Sequence, residues 1–556
     1  MTTLTNRWAG SGVAAGTVVA ASWRVDRPIP VSTRPIHPDE VGEAFQTVAA
    51  DLERVAARAR EQGRTSAGDI VAVGAIIAGD PDLVDAARRA AEGDDPLHGI
   101  HDAIESYALV LESLPDETLR ERAADVRQVG RRVIERLART GTGISANPPA
   151  RRFVLVAAEI GPADLLEHLG QGLAGAVSVR GGANSHAAIV ARSVGLPLVM
   201  GVDPEILDLT DDTALLVDAD AGFVVADPAD EEIARAYAAS TRAEQRRTVL
   251  AAERGLAHVT VDGQPFTLLC NVASDTEVRV GRDSGATGVG LLRTELPFLE
   301  ADRWPTEVDH RRALRPILGE AAGWPVTVRL LDFANDKVPP FLKGRPTGLQ
   351  ALLDNPSALV AQVRAVVELG RGVDVRIMVP MVATAAELRA VRTAVDAVVD
   401  ELNAPSVRVG AMVETVAAVA AIGQLCEVAD FLSIGTNDLT SQVLDLDRTD
   451  PRARPELTAH PRVLDLIVRV VTAARLAGRA VSVCGDAGSH PTTLPLLIGA
   501  GVRAVSVACA RIDETRYRLR RLDTARCAEV LAEALGARDA EETAALVRDR
   551  ITVAMP

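Results

Sequence analysis

Residues 181–192 read Gly-Gly-Ala-Asn-Ser-His-Ala-Ala-Ile-Val-Ala-Arg, a glycine turn followed by a helix that opens at Ser185-His186. A helix start presents free N–H groups and a positive dipole end, and both favour an anion held there. The glycines let a ligand come close to the backbone. His186 is therefore a candidate nucleophile toward a phosphoryl group. Taken alone, a Gly-Gly-x-x-Ser-His segment is more often a capped helix start with a bystander histidine.

A second group of polar residues stands at the ends of strand-like runs farther along the chain. Arg293-Thr294-Glu295 follow one run, and Arg329 and Asp332 close the next, with Lys337 shortly after. Glu414 ends a later run, Asn437-Asp438 follow another with Arg448 beyond, and Cys484-Gly485-Asp486 end a third. Singly, each reads as a surface ion pair, a helix cap or a packing thiol. Together, three arginines and a lysine on one rim would repel one another unless an anion sat among them. The arginine fork suits phosphate and carboxylate. Glu414 and Asp438 offer oxygen ligands that suit Mg²⁺ bridging to a substrate oxygen. The expected ligand is a small phosphorylated carboxylic acid together with Mg²⁺.

The elements that must position these groups follow from the hydrophobic pattern. From residue 266 onward, strand-like runs occur at 266–272, 288–292, 326–331, 375–380, 407–413, 431–435, 480–484 and 503–507, most of them separated by amphipathic helical stretches. Eight such units in this length predict a (β/α)₈ barrel, whose chemistry gathers at the C-terminal strand ends. An open doubly wound sheet is the alternative. Residues 36–145 are helical, with Leu119, Val126, Val129, Val133 and Leu137 at helical spacings. Short β-type runs between 153 and 227, joined by a glycine-punctuated N-terminal strand over 8–22, predict an α+β domain into which the helices are inserted. The expected division is 1–35 plus 146–228, an inserted all-α 36–145, a linker helix over 229–258, and the barrel over 259–556.

The chain has 556 residues, long enough for several cores, and 47% are apolar. A net charge of −16 argues against general nucleic-acid binding, which wants a basic face. No run approaches the ~18 apolar residues of a membrane span, so membrane insertion is not expected. Five scattered cysteines without a C-x-x-C pair point to a reducing compartment, the cytoplasm, and away from a disulfide framework.

The GGANSHAAIVAR segment resembles the phosphohistidine motif of the phosphoenolpyruvate-utilising enzymes, and SIGTNDL (433–439) resembles their second signature. LLRTE (291–295), MVET (412–415) and VCGDAG (483–488) match further blocks in the same order. With ERAADVRQVGRRVIERL (121–137), nearly the whole chain resembles the Enzyme I family of the bacterial sugar phosphotransferase system. About 145 N-terminal residues leave no room for the ATP-grasp domain of the dikinases, and the sensor domain of the nitrogen-system variant is not expected.

The resemblance implies a phosphohistidine swivel domain, an inserted HPr-binding helical subdomain and a phosphoenolpyruvate-binding barrel that dimerises. It implies phosphorylation of His186, followed by transfer to the phosphocarrier HPr. Arg293 and Arg329 would hold the phosphoryl group, Glu414 and Asp438 would bind Mg²⁺, and Asn437 and Arg448 would orient the substrate. Cys484 would protonate the enolate of pyruvate, while Lys337, counted among the rim cations above, is expected in the substrate site together with Asp438. The alternatives are a different protein acceptor, or a paralogue that senses phosphoenolpyruvate without turnover. Several positions depart from the family pattern: Asn184 and Gly161 where threonines are usual, Gln350 in place of an arginine, Asp486 for Glu, and Gly74 for His. The loss at Gly161 is expected to cost His186 a hydroxyl partner, and the change at Gly74 to alter a docking face.

Overall fold

Glycines break the N-terminal apolar run into three strands where the pattern predicts one. In the computed structural model, which describes residues 7–25, 29–31, 34–113, 117–139, 149–182, 185–334, 338–446 and 454–556, these are β1 (Arg7–Ala9), β2 (Ser11–Ala14) and β3 (Thr17–Arg24). They pair in three places: β1 with β8 (Phe223–Ala226), β2 with β6 (Leu198–Met200), and β3 between β7 (Ala214–Asp218) and β4 (Phe153–Ala157). With β5 (Leu173–Ser178) they form a mixed eight-stranded sheet in the order β1-β8-β7-β3-β4-β5-β6-β2. The breaks are steric. A Cβ on residue 10 would stand 2.8 Å from the Met200 carbonyl oxygen, and Gly16 has φ +128°, where other residues are strained.

The chain divides into two units, Met1–Gln245 and Arg246–Pro556. In the first, the described residues between β3 and β4 form five helices: α1 (Pro38–Glu61), α2 (Thr65–Ala78), α3 (Pro81–Ala90), α4 (Pro96–Glu112) and α5 (Glu117–Arg139). Pro38 at the first turn and a reciprocal cap between His37 and Glu40 start α1. Val126, Val129, Val133 and Leu137 of α5 are buried against Phe45, Val48 and Leu52 of α1 and Ile100 and Ile104 of α4 in one apolar cluster. Gly74 is buried too, and a Cβ there would lie 3.3 Å from Leu52 Cδ1. It serves helix packing, so the expectation that residue 74 lies on an exposed docking face is corrected. The outward residue nearby is Ile76, 73% exposed. The sheet also carries α6 (Pro162–His168) and α7 (His186–Val194), and α8 (Asp230–Ala251) leads the chain into the second unit.

The second unit is a closed parallel barrel. Its strands are β9 (Thr267–Val272), β10 (Val289–Leu292), β11 (Pro325–Arg329), β12 (Asp374–Val379), β13 (Arg408–Val413), β14 (Phe431–Gly435), β15 (Ala480–Cys484) and β16 (Ala504–Ala508). Closure is made by β16 pairing with β9, Val507 opposite Cys270, which excludes the open sheet. Helices α9 (Asp275–Asp283) and α10 (Glu307–Glu320) follow the first two strands. The strands are apolar on both faces because side chains fill the inside and helices cover the outside. No helix among the described residues is long and apolar enough to cross a membrane.

Candidate active site

The C-terminal ends of β10 to β15 bring Arg293, Arg329, Glu414, Asn437, Asp438 and Cys484 to one rim. Arg329, the last residue of β11, is only 6% exposed. Its guanidinium pairs with Glu295 at 2.6 Å and with Asp332 at 2.9 Å. Burial opposes its charge, but the attraction of Asp332, Glu295 and Glu414 outweighs burial and raises its pKa. The repulsion among rim cations that the sequence suggests is therefore largely compensated at this residue. Its Nε is buried with no hydrogen-bond partner among the described residues, a donor left over for a ligand.

A chain of hydrogen bonds holds this arginine in place. Thr294 Oγ1 donates to the Arg329 carbonyl at 2.8 Å, Gln362 Nε2 donates to Thr294 Oγ1 at 2.9 Å, and Gln362 Oε1 accepts from Leu331 N at 2.9 Å. Gln362 escaped the sequence reading. Its one signal is a lone amide on the apolar face of the helix Pro356–Leu369.

Glu414 follows β13 and is 2% exposed. Met381, held at φ +50° just past β12, turns its N–H onto Glu414 Oε1 at 2.7 Å. Burial, then the repulsion of Asp332, pushes the Glu414 carboxyl up to about 8. Asp438 lies in the first turn of the helix Thr436–Leu444 and adds to that repulsion. A hard divalent cation would relieve this crowding, and an all-oxygen donor set suits one. No group of three or more His, Cys, Asp or Glu side chains forms a metal cluster among the described residues. Mg²⁺ commonly takes only one or two carboxylates and completes its shell with substrate and water.

Cys484 ends β15, opposite Gly435 in register. Ser433 Oγ donates to its sulfur at 3.1 Å, and its own thiol faces the Ile434 carbonyl at 3.7 Å. Burial pushes this thiol up to about 11, so it keeps its proton. The charges of Glu414, Arg329 and Arg293 all reach it. Asn437 and Asp486 clamp the two neighbouring strand ends, Nδ2 to Oδ2 at 3.0 Å and Oδ1 from Asp486 N at 3.2 Å. Gln350 is the exposed residue of the short helix Gly348–Leu353 and donates to Asp354 at 2.7 Å. Lys337 and Arg448 lie outside the described residues.

The histidine stands in the other unit. Ser185 caps α7, its Oγ accepting from Ala188 N at 3.3 Å, and His186 is the first helical residue. Gly181 has φ +103°, and a Cβ there would meet the Met200 methyl at 2.9 Å. The His186 side chain is 14% exposed, with Nδ1 3.4 Å from the carboxylate of Asp125 on α5. Asp125 also accepts from Arg122 at 3.0 Å. At residue 161 a Cβ would fall 2.0 Å from the Gln128 amide carbon, so glycine there goes with glutamine at 128. The histidine thus has a carboxylate partner. No spacing rule connects Asp125 to a residue so far along the chain. Asn184 lies outside the described residues.

A closed barrel with buried arginine, carboxylate and thiol at one rim, and in the other unit a domain carrying a capped histidine helix, define a multidomain α/β protein with two chemically equipped sites. Residues 8–122, 149–222 and 247–524 match the N-terminal, mobile and PEP-binding domains of the PEP-utilising enzymes. The chain is 32% identical to the phosphoenolpyruvate-protein phosphotransferase of Streptomyces coelicolor, covering 90% of this chain and 92% of that one. It is 34% identical to a multiphosphoryl transfer protein of Xanthomonas campestris pv. campestris over 82% of its length, and 33% identical to one of Rhodobacter capsulatus over 84%. It spans 56% and 58% of the lengths of those two relatives. The chain belongs to the phosphoenolpyruvate–protein phosphotransferase family of PEP-utilising enzymes.

Proposed function

We propose that this chain moves the phosphoryl group of phosphoenolpyruvate to its own His186, releases pyruvate, and passes the group on to the histidine of HPr. The observation that carries the reading is the rim: a buried thiol that keeps its proton, set beside an arginine with a spare donor and a buried carboxylate. Phosphoryl transfer is mostly positioning and charge neutralisation, which Arg293 and Arg329 supply. Asn437, Arg448 and Lys337 orient the substrate. Glu414 and Asp438 would hold Mg²⁺, which would supply charge neutralisation to the substrate anion. The P–O bond to the enol oxygen breaks as the bond to the His186 nitrogen forms. Cys484 delivers its proton to the methylene carbon of the departing enolate, giving pyruvate.

His186 must meet the rim to be charged and the partner to be discharged, so it has to leave Asp125. A swivel of the histidine domain, with the helical segment over 36–145 docking HPr, satisfies both encounters. A homodimer joined through the barrel and a cytoplasmic location complete the reading. The test is incubation with phosphate-labelled phosphoenolpyruvate and Mg²⁺, with and without HPr. Acid-labile, base-stable label on the wild-type chain and none on His186→Ala is expected. Equal labelling of the variant would place the acceptor elsewhere.

A further inference from the structure

The barrel seam carries a thiol pair that the proposed reaction does not use. Cys270 lies on β9, and Cys509 directly follows the end of β16, the strand that closes the barrel against β9. Gly281 of α9 faces both sulfurs: a Cβ there would stand 2.8 Å from Cys270 Sγ and 3.6 Å from Cys509 Sγ. Glycine is a poor residue inside a helix. Here its missing methyl leaves open the space that both sulfurs border.

The two side chains differ in the way a reactive and a resolving thiol should. Cys509 alone among the five cysteines is not fully buried. Its sulfur lies 3.2 Å from the Glu277 carbonyl and 3.7 Å from the Asn271 carbonyl. The neighbouring Cys270 thiol shifts its pKa below the usual thiol value, and the same pairing, with burial, raises Cys270. Cys426, Cys484 and Cys527 are buried and shifted up by that burial. A partly exposed thiol favoured as thiolate, next to a second sulfur, is the environment of a peroxide-reactive cysteine.

We propose that Cys509 and Cys270 form a reversible disulfide when the protein meets a hydroperoxide. The Cys509 thiolate attacks one peroxide oxygen, the O–O bond breaks, and a sulfenic acid and hydroxide result. Cys270 sulfur then attacks the Cys509 sulfur, the S–O bond breaks, and the Cys270 proton leaves with the hydroxide as water. Overall two thiols lose two electrons and two protons, and one hydrogen peroxide becomes two waters. The bond ties the first barrel strand to the end of the last one, and Cys509, at the junction with a short 3₁₀ turn, is the side that moves to close it. Cys484 is spared because it is buried and protonated.

The full chain treated with hydrogen peroxide, alkylated and mapped by peptide mass spectrometry tests this. A dithiothreitol-reversible link between the Cys270 and Cys509 peptides is expected, with Cys484 still free. In Cys270→Ser, Cys509 should stop as a sulfenic acid captured by dimedone. In Gly281→Ala, whose new methyl fills the space between the sulfurs, the link should be lost or strongly slowed. Oxidation of Cys484 before Cys509, a Cys509 link only between two chains, or a wild-type Cys509 that goes to sulfinic acid unlinked would each overturn the proposal.

Discussion

The rim of the barrel and the start of α7 handle charge in opposite ways. At the rim, Arg329 and Glu295 are almost inaccessible and sit 2.6 Å apart, and Arg329, Glu414 and Cys484 are each fixed by another group, down to Gln362 behind Thr294. At α7, His186 makes a longer 3.4 Å contact with Asp125, and Ser185 caps the helix start at 3.3 Å. A site that stabilises developing charge gains from being rigid beforehand, because no reorganisation is left for the reaction. A group that accepts cargo and hands it on gains from contacts it can release.

The largest effect should come from the rim. Cys484→Ala is expected to cut pyruvate formation by ~10²–10⁴-fold while phosphoenolpyruvate binding stays near wild type. Unchanged turnover would make Cys484 a packing residue. Next, Arg329→Met strands Glu295 and Asp332 in the barrel interior. Removing one partner of a buried ion pair typically costs about 3–5 kcal/mol, which urea unfolding of the barrel should read. Glu295→Gln in the same chain should recover part of it, and no recovery would break the picture of a compensated network.

His310 of α10 sharpens the contrast from another side. Burial lowers its pKa to about 4 from 6.5, and neither ring nitrogen has a hydrogen-bond partner among the described residues. The folded chain keeps it neutral, while the unfolded chain takes up a proton near pH 6.5. Stability is therefore lost as pH falls from about 6.5 to about 4, by up to about 3 kcal/mol. His310→Leu should flatten that acid limb in denaturant titrations at several pH values; an unchanged limb would assign the acid sensitivity to other groups. Smallest is Ser185→Ala, expected to cost about 1 kcal/mol as loss of a helix cap. A cost as large as that of Arg329→Met would mean the histidine helix is as tightly held as the rim.

The barrel was legible because each strand repeats the same apolar run, and the observed strands begin and end within two residues of the pattern. The splitting of the N-terminal strand was not, since β1 and β2 choose partners about two hundred residues away. Rim residues announced themselves by type at strand ends. What holds them did not: Gln362 and Ser433 are ordinary polar letters, and the strained turn at Met381 has no signature in sequence. Gly74 misled for a related reason. A glycine in a helix says that something is close, but not whether it is solvent, a partner or, as here, Leu52.

The placement of the five helices between β3 and β4 bears on the order in which this chain acquires its structure. Those strands are neighbours in register, Ala21 beside Phe153, though the whole helical segment separates them. Closing so long a flexible loop costs about 4 kcal/mol of chain entropy. The helices make mostly local contacts, α1 on α2 and α4 on α5, which form quickly and draw the ends of the segment together. The sheet should then be the late event, waiting on its own insertion. Pulse-labelled amide exchange during refolding should protect α1 and α2 before β3 and β4, and simultaneous protection would mean that strands and helices form as one cooperative unit.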